Sequence, residues 1–300
     1  MLERFWIYQR ERFPLAAMGA LAGLLACSST FYSALARGAS LPGVGLVAAA
    51  AASAFLVFMQ MRVLDEFKDA EDDARFRPYR PVPRGLVSLR ELGWLLAGAS
   101  AAEVAIALAV DARLLWLLAA LWGYLALMAI EFFARDWLRQ RAFAYLASHN
   151  PFGALIALYA AAFDWLPRGG AAQPALALFA LAVFFNTALL EIGRKIRAPQ
   201  DEEHGVATYS AVWGRGSATF AWCGALGLTA AAGWAAASAT GHASTFIWLM
   251  VPVVVLAAVT ARRYLVEPQT RRARAIEGLS GIASLVLYAG LGPLAVMVGA

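Results

Sequence analysis

A run of closely spaced carboxylates is the part of this sequence best suited to chemistry. Six acidic residues, Asp65, Glu66, Asp69, Glu71, Asp72 and Asp73, fall within nine positions. Asp65, Asp69 and Asp73 stand four residues apart. On an α-helix each such step turns by about 400° and rises roughly 6 Å, so the three share one face. Like charges at that spacing repel. A divalent cation removes the repulsion, and Mg²⁺ takes carboxylate oxygens while leaving positions for a substrate's phosphates. A solvated charge run is the simpler reading of any acidic segment. The strict spacing, directly at the end of an apolar run, favours the cation here.

A second polar cluster, Asn186, Glu191, Arg194, Lys195, Arg197, Asp201, Glu202, Glu203 and His204, mixes both signs. Asp201 and Glu202 offer further metal ligands, and Lys195 and Arg197 can hold phosphate oxygens directly. A loop of self-compensating charges is the alternative. The first cluster leads into Arg75 to Ser88, where Pro78, Pro81 and Pro83 exclude a regular helix. That segment is expected to hold its arginines over the mouth of a site.

The elements that position these groups are apolar. Of 300 residues, 61% are hydrophobic and 15% charged, and the mean hydropathy is +0.63. A soluble domain carries about a quarter charged residues, so the chain is read as an all-α, polytopic membrane protein embedded in a lipid bilayer. Apolar runs at 15–36, 43–63, 91–110, 113–133, 150–167, 172–193, 216–238, 245–262 and 276–298 give nine candidate transmembrane helices around a central cavity, in a single domain over 1–300. Ala- and Gly-rich faces let such helices approach closely. Ala34-Leu35-Ala36 resembles a cleavage site, but the run before it has spanning length, so it is read as a retained helix. Residues 1–14, with Phe5, Trp6 and Phe13 among arginines, fit an interfacial amphipathic helix or a plain lead-in to the first span. Cys27 and Cys223 lie in apolar runs, which argues against a disulfide framework.

Charge sets the orientation. Twenty-two of the 25 Lys and Arg residues lie at the N-terminus and in alternate loops; only Arg37, Arg113 and Arg168 lie in the others. The positive-inside rule then puts the N-terminus and both polar clusters in the cytoplasm, with a bacterial inner membrane as the expected location. The net charge of +5 is explained by topology, and no nucleic-acid partner is expected. Glu103 and Glu131 fall within or near spans, where carboxylates are costly; Glu131 can pair with Arg135 four residues on. His149 and His204 lack any metal-ligand spacing and are read as structural or solvated.

The sequence resembles the UbiA superfamily of intramembrane prenyltransferases. The family has nine spans, an Asn-x-x-x-Asp-x-x-x-Asp motif after the second, and then Arg-Pro-x-x-Arg-Pro and Gly-x-Ile/Val-Ser. Asp65, Asp69 and Asp73, then Arg77-Pro78-Tyr79-Arg80-Pro81 and Gly85-Leu86-Val87-Ser88, match in order. Glu191 to Glu203 lies where the second acidic motif belongs, and Gly205-Val206-Ala207-Thr208 and Asn150 also resemble family positions. Two departures stand out: Asp65 replaces the leading Asn, and Lys195 replaces the first Asp of the second motif. The number of metal ions is therefore open.

The resemblance implies a Mg²⁺-dependent transfer of an isoprenyl group from its diphosphate to an aromatic or other electron-rich acceptor, a lipid among them. It implies metal binding by Asp65, Asp69, Asp73, Asp201 and Glu202. It implies catalytic roles for Asp69, Asp73 and Lys195, and substrate contacts from Arg77, Arg80, Arg197, Glu191 and Asn150. Terpene cyclisation or phosphoribosyl transfer to a lipid phosphate on the same fold are alternatives, and the altered second motif keeps them open. A cation-coupled transporter is a further alternative, but transporters bind near the midplane, whereas these clusters sit at one mouth.

Overall fold

The computed structural model describes residues 2–299 and is helical throughout the elements it contains. In chain order these are α1 (Leu2–Arg12), α2 (Leu15–Ala36), α3 (Val44–Lys68), α4 (Ala70–Phe76), α5 (Leu89–Val110), α6 (Leu114–Ala129), α7 (Arg135–Arg139), α8 (Ala142–His149), α9 (Pro151–Trp165), α10 (Ala175–Arg194), α11 (Tyr209–Val212), α12 (Arg215–Ala239), α13 (Ala243–Val266), α14 (Thr270–Leu291) and α15 (Pro293–Gly299). Short 3₁₀ turns occupy Glu131–Phe133 and Pro199–Asp201.

Among the described residues seven helices, α2, α3, α5, α10, α12, α13 and α14, are long and apolar enough to cross a membrane. The expected runs 113–133 and 150–167 appear as α6 and α9, of 16 and 15 residues. At 1.5 Å per residue both fall short of a hydrocarbon core of about 30 Å. The run 276–298 is likewise not one helix. It breaks between Gly292 and Pro293, where Gly292 lies against the backbone of Ser28 with no room for a side chain.

Each long helix buries one stripe. In the core Tyr32 on α2 stacks on Phe179 of α10 and donates to the carbonyls of Ala175 and Ala236. α10 packs along α12, α2 lies between α3 and α9, and α14 closes against α10 and α2. Gly153 of α9 sits where a side chain would collide with Thr187 of α10, so these two helices meet closely just inside the polar end.

The three exceptional arginines meet at the opposite end of the bundle from the acidic clusters. Arg37 and Arg168 both pair with the fully buried Asp164, at 2.9 and 2.7 Å, and Arg113 donates to the carbonyl of Leu166. α1 is docked on the bundle: Tyr8 and Phe13 are buried, Arg4 pairs with Glu91 at 2.9 Å, and Trp6 faces outward, 60% exposed. Glu91 also completes a capping box with Ser88 that starts α5.

Candidate active site

α3 carries its apolar stripe to the polar end and stops at Lys68, and α4 resumes at Ala70. The amide-to-carbonyl ladder still runs from Asp69 to Asp65, from Asp73 to Asp69 and from Arg77 to Asp73, at 2.8–2.9 Å. The three aspartates therefore keep helical spacing through the bend, but they do not meet the same surroundings. Asp65 and Asp69 line a cavity of about 720 Å³. Asp73 is 2% exposed and sits behind it, with Arg77 and Arg80 each 2.7 Å from a carboxylate oxygen and Arg12 at 4.0 Å. Of the three expected metal ligands, two line the cavity; Asp73 is held by the arginines that it aims at the cavity.

Asp69 differs from both neighbours. Asp65 has Lys68 at 3.4 Å and Arg62 at 3.9 Å, whereas among the described residues no cation lies within ion-pair distance of Asp69. Burial pushes its carboxyl above the ordinary aspartate range, with Asp65 and Asp73 adding repulsion and Lys68 and Arg77 opposing it. The adjacent Glu66 is neutralised by Arg12 at 2.6 Å and Arg62 at 2.9 Å. Among the described residues no three His, Cys, Asp or Glu side chains gather as a ready-made metal cage. Mg²⁺ needs none, since it is held by one or two carboxylates plus substrate phosphates. Asp65 and Asp69 fit that role.

The second cluster supplies the facing wall. Glu191 lines the cavity but is held by Arg194 at 2.5 Å and Lys195 at 2.7 Å. Lys195 also lies over the rings of Tyr145 and Tyr209, 5.7 and 5.6 Å from their centroids. Arg197 lines the cavity, and no carboxylate among the described residues pairs with its guanidinium. Asp201 and Glu202, expected as metal ligands, are not brought to the cavity. Glu202 accepts from Thr208 at 2.6 Å and from Ser210 at 2.7 Å, which ties down the loop before α11. Gly205, at φ +76°, lines the site with its face closed against Phe76.

At the inner end lie Met61, Met128, Leu146, Thr187, His149 and Asn150. Glu131, Phe132 and Phe133 all have positive φ, between 50 and 59°. Each costs roughly 1–2 kcal/mol in a residue with a side chain. The turn sets Phe132 edge-on to Tyr124 and to His149. Glu131 pairs with Arg135 at 3.6 Å, as its spacing predicts. Glu103 is fully buried and accepts from Trp122 at 3.1 Å, away from the cavity. The sequence reading missed Arg12 and Tyr145. Arg12 sits in a terminal helix with no motif, and Tyr145 is one aromatic among many.

A model described as the UbiA prenyltransferase family matches residues 24–277. The chain belongs to the UbiA prenyltransferase family. It is an intramembrane prenyltransferase and an integral, multi-pass membrane protein. The fold agrees with two solved structures. One is an apo UbiA homologue from Aeropyrum pernix K1, at 16% identity and TM-score 0.69, covering 93% of this chain and 97% of that one. The other is described as a digeranylgeranylglyceryl phosphate synthase, at 14% identity and TM-score 0.61, covering 96% and 99%. No curated protein sequence matches the chain. α1, which brings Arg12 to the cavity, precedes the matched region.

Proposed function

We propose that this prenyltransferase binds an isoprenyl diphosphate at the polar end of its cavity and transfers the isoprenyl group to an aromatic or other electron-rich acceptor, a lipid among them, with Mg²⁺ held by Asp65 and Asp69. The observation that carries this reading is the pair of uncompensated charges across one cavity: Asp69 on one wall and Arg197 on the other. An anion bearing its own cation satisfies both.

Bound there, Mg²⁺ would stabilise the charge that develops on the departing diphosphate. The chain's own residues do the rest. Arg77 and Arg80, fixed by Asp73, and Lys195, fixed by Glu191, present donors to the diphosphate without having to be ordered during reaction. Arg197 adds a free guanidinium. As the C–O bond breaks, the electron pair leaves with the diphosphate and the allylic carbon becomes cationic. The apolar inner wall of Met61, Met128 and Leu146 excludes water that would quench it. The concentration of basic residues at this end supports a cytoplasmic placement.

Protein in lipid nanodiscs, given Mg²⁺ and a panel of prenyl diphosphates of different lengths, is expected to release diphosphate in the presence of an aromatic acceptor panel and to stop on EDTA. Undiminished release in EDTA would remove the metal from the reaction; no release from any donor would overturn the reading.

A further inference from the structure

The helix that carries the acidic motif breaks at Asp69. α3 stops at Lys68, α4 resumes at Ala70, and between them Asp69 has φ −95° and ψ 4°. A buried side chain from outside this segment spans the break. Arg12, the last residue of α1, puts its Nε 2.6 Å from Oε1 of Glu66, about one turn before Asp69. Its Nη2 lies 4.0 Å from Oδ2 of Asp73, about one turn after Asp69. Both carboxylates are buried, and the Arg12 side chain is only 11% exposed. Nη2 is buried and forms no hydrogen bond among the described residues. Swinging α4 away from α3 would separate this guanidinium from Asp73. Parting buried opposite charges is costly, so the contact resists a change in the bend. A guanidinium suits the task because its planar fork reaches two carboxylates in different directions, whereas an ammonium is a single point charge.

α1 holds Arg12 firmly. Arg4, Tyr8 and Arg12 recur every four residues and share one helix face. Arg4 pairs with Glu91, Tyr8 is buried in a cluster with Val63, Val87 and Leu92, and the ring of Phe13 packs on Phe55 of α3 with centroids 5.3 Å apart. Glu11 pairs with Arg84 at 2.8 Å, so α1 also grips the loop that follows Asp73. A second arginine, Arg135, spans the same break, 3.2 Å from the carbonyl of Lys68 and 3.6 Å from Asp72. It is 41% exposed, so solvent weakens its hold.

We propose that Arg12 is a positioning residue for the metal site: by bridging Glu66 and Asp73 across the break it sets the angle between α3 and α4, and with it the placement of Asp69 relative to Asp65 at the cavity wall. Arg12 acts through these two carboxylates and needs no contact with metal or substrate. The metal site so positioned then depends on a helix that precedes residues 24–277, the part of the chain that matches the family. What the site holds rests on the prenyltransferase reading above; the bridge itself is a property of the metal-free protein.

The test compares wild type, Arg12→Gln, Arg12→Lys and Arg4→Gln in lipid nanodiscs. Hydrogen exchange of the metal-free protein reads the bend through the amides of residues 69–77, where the ladder crosses it. Arg12→Gln is expected to speed their exchange at least tenfold. It is also expected to raise the half-saturating Mg²⁺ concentration for diphosphate release at least tenfold, with kcat at saturating Mg²⁺ within about threefold of wild type. A general folding defect would instead lower kcat through the active fraction. Arg12→Lys keeps the charge without the fork and is expected to repeat both changes; it carries the test where Arg12→Gln does not fold. Arg4→Gln removes the other arginine tie of α1 and is expected to stay within twofold on both measures. Wild-type exchange and Mg²⁺ dependence in Arg12→Gln, full recovery by Arg12→Lys, or an equal loss in Arg4→Gln would overturn the bridge. The exchange measurement needs neither metal nor substrate, so failure of the bridge is distinct from failure of the prenyltransferase reading.

Discussion

The two acidic segments at the polar end face each other across one cavity and solve opposite electrostatic problems. In the first, arginines neutralise Glu66 and Asp73, and Asp69 is left without a partner. In the second, Arg194 and Lys195 neutralise Glu191, hydroxyls satisfy Glu202, and the cation Arg197 is left over. One wall lacks a positive charge and the other has one to spare. The lesson is that a motif rich in acids need not bind metal. What counts is which carboxylate still has oxygens free where substrate arrives, because a buried carboxylate whose oxygens are both taken by guanidiniums, as in Asp73, has little left to offer a metal ion.

The sharpest way to break this contrast is to remove the odd charge on the first wall. Asp69→Asn should reduce diphosphate release by three orders of magnitude or more, measured at saturating Mg²⁺; a value within tenfold of wild type would show that another residue holds the metal. Next is Lys195. Lys195→Ala should cost about 10²-fold in kcat through loss of a preorganised donor to the leaving group. Lys195→Asp should cost at least as much, since it frees no second metal site while Asp201 and Glu202 stay out of the cavity. A gain of activity in Lys195→Asp would mean that the second wall is a latent metal site. Arg197→Ala removes one charge-assisted contact, roughly 1.5–3 kcal/mol, so diphosphate affinity should weaken about 10- to 150-fold by calorimetry. Asp201→Asn, at a position away from the cavity, should stay within about twofold.

The smallest effect concerns stability and pH. Burial raises the Asp69 carboxyl above its unfolded value. Protonated Asp69 therefore favours the fold below the ordinary aspartate range, and that contribution is lost as pH rises through the elevated folded value. At neutral pH the ionised group burdens the metal-free protein, so Asp69→Asn should raise Tm of the metal-free protein while abolishing turnover. The acid limb of activity should lie above the normal aspartate range and move down with excess Mg²⁺. A lower Tm in Asp69→Asn would show that the carboxylate is structurally engaged.

Much of this was legible in the residues. Helical runs follow from apolar stretches of spanning length, and the charge asymmetry placed Arg37, Arg113 and Arg168 at one end, where the structure joins them around Asp164 and Leu166. The i, i+4, i+8 spacing pointed to the segment whose Asp65 and Asp69 line the cavity. It could not tell that Asp73 turns to Arg77 and Arg80 while Asp69 stays free, because that depends on where a proline-rich loop returns. The end of α6 at Ala129 was hidden too: nothing in Glu131-Phe132-Phe133 signals three left-handed residues, since their cost is met by packing. His149 read as an isolated histidine. The structure stacks its ring on Tyr145 at the cavity wall, a partnership that no spacing in the sequence signals.

The most direct test of the contrast between the walls is a count of metal ions. Mn²⁺ replaces Mg²⁺, and a non-hydrolysable prenyl thiolodiphosphate is titrated into the protein while bound metal is read by electron paramagnetic resonance. One ion per chain, absent in Asp69→Asn and retained in Asp201→Asn, is the predicted result. Two ions per chain, or one that survives Asp69→Asn, would contradict it.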